Sequence, residues 1–112
     1  MNKKHLRALY EEQKPPMGVF LLVDASTSQE YLGVSKNFQA TKNSLFFRLS
    51  VGALANYPSL QDSYSKHGPS IMDFSVLEEL DYQEDISDYR AELDTLLSMM
   101  KQTYIHAKEI HV

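Results

Sequence analysis

Residues 17–34 read MGVFLLVDASTSQEYLGV, and this stretch decides the fold. Met17 to Val23 is an unbroken apolar run. A helix crossing a bilayer needs about 20 such residues, so the run reads as a largely buried strand. Asp24 to Gln29 is rich in Ser and Thr and reads as a turn; Glu30 to Val34 reads as the returning strand. A hairpin is the economical arrangement, because antiparallel strands pair without the long crossover that parallel strands require.

Working outward, residues 3–13 read as a short helix with Leu6, Leu9, Tyr10 and Gln13 along one side, ended by Pro15 and Pro16. After the hairpin, Ser35 is placed to cap a helix whose Phe38, Thr41, Leu45 and Leu49 recur at helical spacing, with Gly52 near its exit. Pro58 suits the start of a second short helix running to about Lys66, closed by His67-Gly68-Pro69. Residues 71–77, IMDFSVL, alternate as a third strand, with Ile71, Asp73, Ser75 and Leu77 opposing Met72, Phe74 and Val76. From about Asp85 a last helix carries the apolar stripe Ile86, Tyr89, Leu93, Leu96, Leu97, Met100 and Tyr104. The expected fold is α/β of the α+β kind: a small three-stranded antiparallel sheet flanked by helices. One domain spans residues 1–112, with an N-terminal helix over 1–14, a core over 17–100, and the end of the last helix and a tail over 101–112.

That order of elements, with GVF at 18–20 and YLG at 31–33, resembles a GIY-YIG nuclease domain. The likeness continues through Gly33-Val34-Ser35-Lys36-Asn37-Phe38, through Gly52 and Asn56, through LQDSYSKHG at 60–68 and VLEEL at 76–80. It is similar to a branch of small stand-alone bacterial members and covers residues 17–100. The resemblance implies a nuclease site, and it also shows what that site lacks. Phe20 stands where the family has its first tyrosine, while Tyr31 keeps the second. Thr41 stands at the position of the family's arginine; its hydroxyl lacks the charged, planar donor fork that stabilises a phosphoryl oxyanion. Lys42 is turned about 100° away around the helix and Arg48 lies about two turns on, so neither fits that place. Leu97 falls near the family's metal-binding glutamate, and a leucine cannot enter the oxygen shell that Mg²⁺ requires. Glu92 and Asp94 are acidic neighbours whose ordinary role is to solvate the helix. No catalytic residue is assigned: Phe20, Tyr31, Thr41 and Leu97 mark a degenerate site.

Composition narrows the remaining functions. The chain has no cysteine, which excludes disulfides, thiolate metal sites and cysteine nucleophiles. His5, His67, His106 and His111 are scattered without zinc-ligand spacing. Residues 1–68 carry eight basic and five acidic groups (+3) and residues 69–112 carry three and ten (−7), giving the net −4. Nonspecific nucleic-acid binding draws on phosphate neutralisation, so any such face belongs to the basic half. Its candidates are Lys36, Lys42, Arg48 and Lys66, with Tyr64 available to stack on bases if it is exposed. The competing reading has these cations solvating helices and Tyr64 packing in the core.

The leading expectation is therefore a catalytically inactive GIY-YIG-like domain with a binding or regulatory role, DNA being the sharpest partner hypothesis. A protein-interaction module or homodimer is the alternative, and a residual Mg²⁺-dependent endonuclease stands third. No cofactor is expected, with Mg²⁺ entering only under that third reading. The chain has neither signal-peptide nor membrane-span pattern, and a cytoplasmic location is expected.

Overall fold

The computed structural model describes residues 15–111, so the expected helix over 3–13 lies outside the described residues. The described elements are β1 (Met17–Asp24), β2 (Gln29–Ser35), α1 (Phe38–Ser50), α2 (Pro58–His67), a 3₁₀ turn (Pro69–Ile71), β3 (Met72–Leu80), α3 (Arg90–Thr103) and β4 (Lys108–Glu109). The sheet order is β3-β1-β2-β4. The hairpin expected from residues 17–34 is present, with Leu22 opposite Tyr31 and Phe20 opposite Gly33. The α+β class stands, but the three-stranded expectation is corrected to four. Residues 101–112 are not simply a helix end and tail: the helix stops at Thr103, and the chain returns to lay β4 parallel to β2, with Tyr31 beside Lys108 and Leu32 beside Glu109.

Alternation along β1 and β2 divides the core. Phe20, Leu22 and Tyr31 face α1 and α2, where they meet Phe38, Leu45, Leu49, Leu54, Leu60 and Ile110. Val19, Leu21 and Leu32 face the other way and pack against Leu97 of α3. Successive side chains of a strand point to opposite faces, so Phe20 and Tyr31 are separated from Leu97 by the sheet itself.

Two caps differ from expectation. Asn37, rather than Ser35, caps α1, its Oδ1 accepting from the Ala40 N–H at 3.1 Å. Ser35 is the last residue of β2, and its Oγ accepts from the Asn37 N–H at 3.0 Å. The last helix begins at Arg90 rather than near residue 85. The Tyr89 hydroxyl explains the delay, since it accepts from the Gln83 N–H at 2.8 Å and donates to the Gln83 carbonyl at 3.0 Å. These bonds satisfy a closed loop whose Ile86 packs onto the Met17–Tyr89–Leu93 cluster instead of joining the helix stripe.

Close approach fixes the two inner strands. A Cβ on Gly18, whose φ is +154°, would collide with the Glu78 carbonyl at the point where the β1–β3 register shifts. A Cβ on Gly33 would lie 2.5 Å from Phe20 Cζ and 2.7 Å from the Ile110 carbonyl oxygen. Phe20 is fully buried and stacks on Phe74 with ring centroids 4.9 Å apart, so its ring has little room to yield. Gly33→Ala is expected to lower stability by about 1–3 kcal/mol, the range for overpacking a well-filled core. Urea unfolding measures this; a variant as stable as the parent would show that the ring and tail relax freely.

Candidate functional site

Three separate concavities hold Tyr31, Thr41 with Lys36 and Asp94, and Glu92. The first surrounds Tyr31, which is 1% exposed. It measures about 110 Å³ and is lined by Tyr31, Asn56, Tyr57, Pro58, Ser59 and Lys108. Burial, and after it the charge of Asp24, pushes the Tyr31 phenol above its usual value of 10.0, so it remains a neutral donor at physiological pH. The Tyr57 ring meets Tyr31 edge-on, and its hydroxyl accepts from the His111 N–H at 2.9 Å. Tyr57 thus joins the start of α2 to the C-terminal strand.

The second concavity is lined by Val34, Ser35, Lys36, Thr41, Arg90, Leu93 and Asp94. Thr41 Oγ1 and Ser35 Oγ lie 2.6 Å apart and share a hydrogen bond. Arg90 adds a guanidinium here, but it is already held by Asp88 through Nε and Nη2 at 3.1 and 2.8 Å. That pairing lowers the exposed Asp88 carboxyl to about 2, the Arg90 hydrogen bond being the largest cause. With Asp94 also present, the cleft is mixed in charge. Lys36 lines it and an adjoining concavity beside Tyr82 and Tyr89.

The third, about 340 Å³, is lined by Leu80 of β3 and by Ala91, Glu92, Thr95, Leu96 and Met99 of α3. Glu92 Oε2 is buried there without a hydrogen-bond partner. Leu97 lines none of the three and is 5% exposed in the core beneath α3. Tyr31, Asp94 and Glu92 therefore do not converge. Among the described residues no three His, Cys, Asp or Glu side chains group as metal ligands. Asp94 is the single carboxylate lining the Thr41 cleft.

The basic candidates are likewise dispersed. Lys42 and Arg48 are exposed on α1, six residues and so about 120° apart around the helix axis. Lys66 forms an exposed ion pair with Asp62 at 3.0 Å, a contact of little energetic weight. Tyr64 is partly buried against the core, leaving less of its ring for stacking. Lys108 was not among the sequence candidates; its approach to Tyr31 follows from β4, a strand of two residues too short to leave a periodic pattern.

No protein-family model matches the chain. No curated protein matches it. Among solved structures, the catalytic domain of the homing endonuclease I-TevI matches with a TM-score of 0.64 at 21% identity, over 86% of this chain and 99% of that one. A glutamate-to-alanine mutant of that catalytic domain, described as an intron endonuclease, matches at 0.64 and 20% identity, over 86% and 94% of the two chains. The described residues contain no helix long and apolar enough to cross a membrane.

At the turn end of the sheet, Asp24 is fully buried. Its Oδ1 accepts from the Ser26 hydroxyl at 2.6 Å and from the Ser26 N–H at 3.0 Å, while Ser26 Oγ sits 3.2 Å from Ser63 Oγ on α2. Burial pushes the carboxyl up, but the Ser26 and Ser63 hydroxyls and the Ser26 N–H outweigh it and hold the group below its usual 3.8. A folded pKa below the unfolded one gives stability that is complete above 3.8 and lost as pH falls through the folded value. Asp24→Asn should cost about 1–3 kcal/mol at neutral pH and flatten the acid limb of the stability profile. Denaturant unfolding across acid pH tests this, and identical parent and variant profiles would remove Asp24 from the account.

Proposed function

We propose that this chain, a divergent GIY-YIG-like domain in its fold, binds nucleic acid without cutting it. The observation that carries the reading is the separation of the residues that the family's chemistry would have to unite. Phe20 is sealed between Gly33 and Phe74, Thr41 is hydrogen-bonded to Ser35, and Leu97 is buried on the far side of the sheet. A phosphoryl transition state needs preorganised donors and counter-charge aimed at one point. Here Tyr31 stands in one concavity, Arg90 and Asp94 in a second, and Glu92 in a third. The similarity to an endonuclease catalytic domain makes DNA the natural partner class.

A specific observation favours a second reading. The groove holding Glu92 is lined mainly by apolar atoms and contains a buried, unpaired carboxylate oxygen. An unpaired buried acceptor costs about 1–3 kcal/mol, and a protein segment bearing a lysine or arginine would relieve it. Under this reading the partner is a protein and DNA binding is absent.

Purified chain incubated with supercoiled plasmid and branched DNA in Mg²⁺ should leave both intact, while fluorescence anisotropy should report saturable binding that weakens with salt. Mg²⁺-dependent nicking that is abolished by Asp94→Ala would replace the noncatalytic reading with a residual nuclease. Absence of binding at low salt would shift the function to the Glu92 groove.

A further inference from the structure

We infer that the groove between β3 and α3 is the docking site of the chain's own residues 1–14, with a cation of that segment paired to Glu92. This goes beyond the nucleic-acid reading and does not rest on it. A tethered segment takes the place that an outside protein segment would otherwise fill.

The groove makes two demands on an occupant. Leu80, Ala91, Leu96 and Met99 supply most of its lining, and Met99 is 54% exposed. Leu80 and Leu96 are only partly covered, at the margins of the two clusters beneath α3. The second demand comes from Glu92, whose Oε2 is buried and accepts no hydrogen bond. Its place in the first turn of α3 favours the negative charge through the helix dipole but brings that oxygen no donor. A buried charge is normally paired. Glu78, Glu79 and Asp81, which flank Leu80 in sequence, are exposed and enter no ion pair among the described residues. The occupant must therefore be apolar along one side and cationic beside it.

Residues 1–14 lie outside the described residues, and their sequence has that character. Leu6, Leu9 and Tyr10 share one side of the helix that residues 3–13 read as. Around its axis Lys3 falls about 60° and Arg7 about 100° from Leu6, so both flank the apolar side. Lys3, Lys4, Arg7 and Lys14 outnumber Glu11 and Glu12. The groove, by contrast, is built wholly from residues 69–112, which carry three basic and ten acidic groups. The two surfaces are opposite in charge.

Position and length agree with this match. The Pro15 carbonyl accepts from the Tyr82 hydroxyl at 2.6 Å, and Met17 lies opposite Leu80 in the β1–β3 ladder. The segment is thus tethered beside the residue that β3 contributes to the groove. From Ala91 to Met99 the helix α3 rises about 12 Å, and a helix over 3–13 would be about 16 Å long. One helix of that length covers the groove from end to end. So short a tether raises the local concentration of the segment to about the millimolar range, which a free partner would have to exceed.

The test uses the full chain labelled with ¹³C and ¹⁵N. NOE contacts are expected from the Leu6 and Leu9 methyls to Leu96 and Met99. They should remain within one chain when labelled and unlabelled protein are mixed. Limited trypsin digestion reads the same docking through the population of the open segment. Glu92→Gln keeps the shape of the side chain and removes its charge, and should speed cleavage after Arg7 about tenfold, as loss of a charged hydrogen bond implies. Leu9→Glu should speed it from the segment's side, while the β1 and β2 amides report that each variant stays folded. Contacts seen only between different chains would overturn the tethered occupant and assign the groove to a second copy. Absence of the contacts, or cleavage at the parent rate in either variant, would overturn the docking itself.

Discussion

The structure depends on the contact made across Gly33. Phe20 on β1 lies under that glycine, the Ile110 carbonyl approaches it from the tail, and no Cβ fits between them. Because the glycine leaves that space, the aromatic ring can stay inside the sheet-to-helix core and the C-terminal chain can close onto β2. The same approach buries Ile110 among Phe20, Leu22 and Tyr31 and is continued by the Ile110 N–H, which donates to the Leu32 carbonyl at 2.8 Å. One short-range steric condition thus determines both the packing of the first strand and the location of the last. Interiors are packed densely enough that such a condition propagates.

The same packing fixes what stands at the positions the family resemblance singles out. An aromatic without a hydroxyl is tolerated at residue 20 because that position is committed to the core, stacked on Phe74. Alternation along β1 and β2 puts Tyr31 on the face opposite the one that packs against Leu97 of α3. The lining of the Tyr31 concavity draws on β2, the start of α2 and Lys108 of β4.

Much of the fold was legible because its signals are local. The apolar run at 17–23, the Ser/Thr turn, and Pro58 at the head of α2 each act within a few residues, and each element formed where its residues place it. The start of α3 was misread because the periodic stripe of Ile86 and Tyr89 looks helical. In fact both side chains pack from a loop fastened by the Tyr89 hydroxyl to Gln83. The cap was misplaced by two residues because Ser35 and Asn37 are both competent acceptors; the strand pairing that retains Ser35 decided between them. β4 leaves no period in two residues, so the pairing of Lys108 with Tyr31, 77 positions away, has no sequence signal. The basic residues that composition did flag, Lys42, Arg48 and Lys66, were gathered by sequence proximity, and helical geometry spreads them.

The most direct test of a nuclease-like fold that holds nucleic acid without cleaving it is a ¹⁵N-resolved NMR titration with a short DNA duplex in the presence of Mg²⁺. The account predicts saturable amide shifts that weaken as salt is raised, and a duplex recovered whole from the same tube. No saturable shift at low salt, or a duplex recovered in pieces, would contradict it.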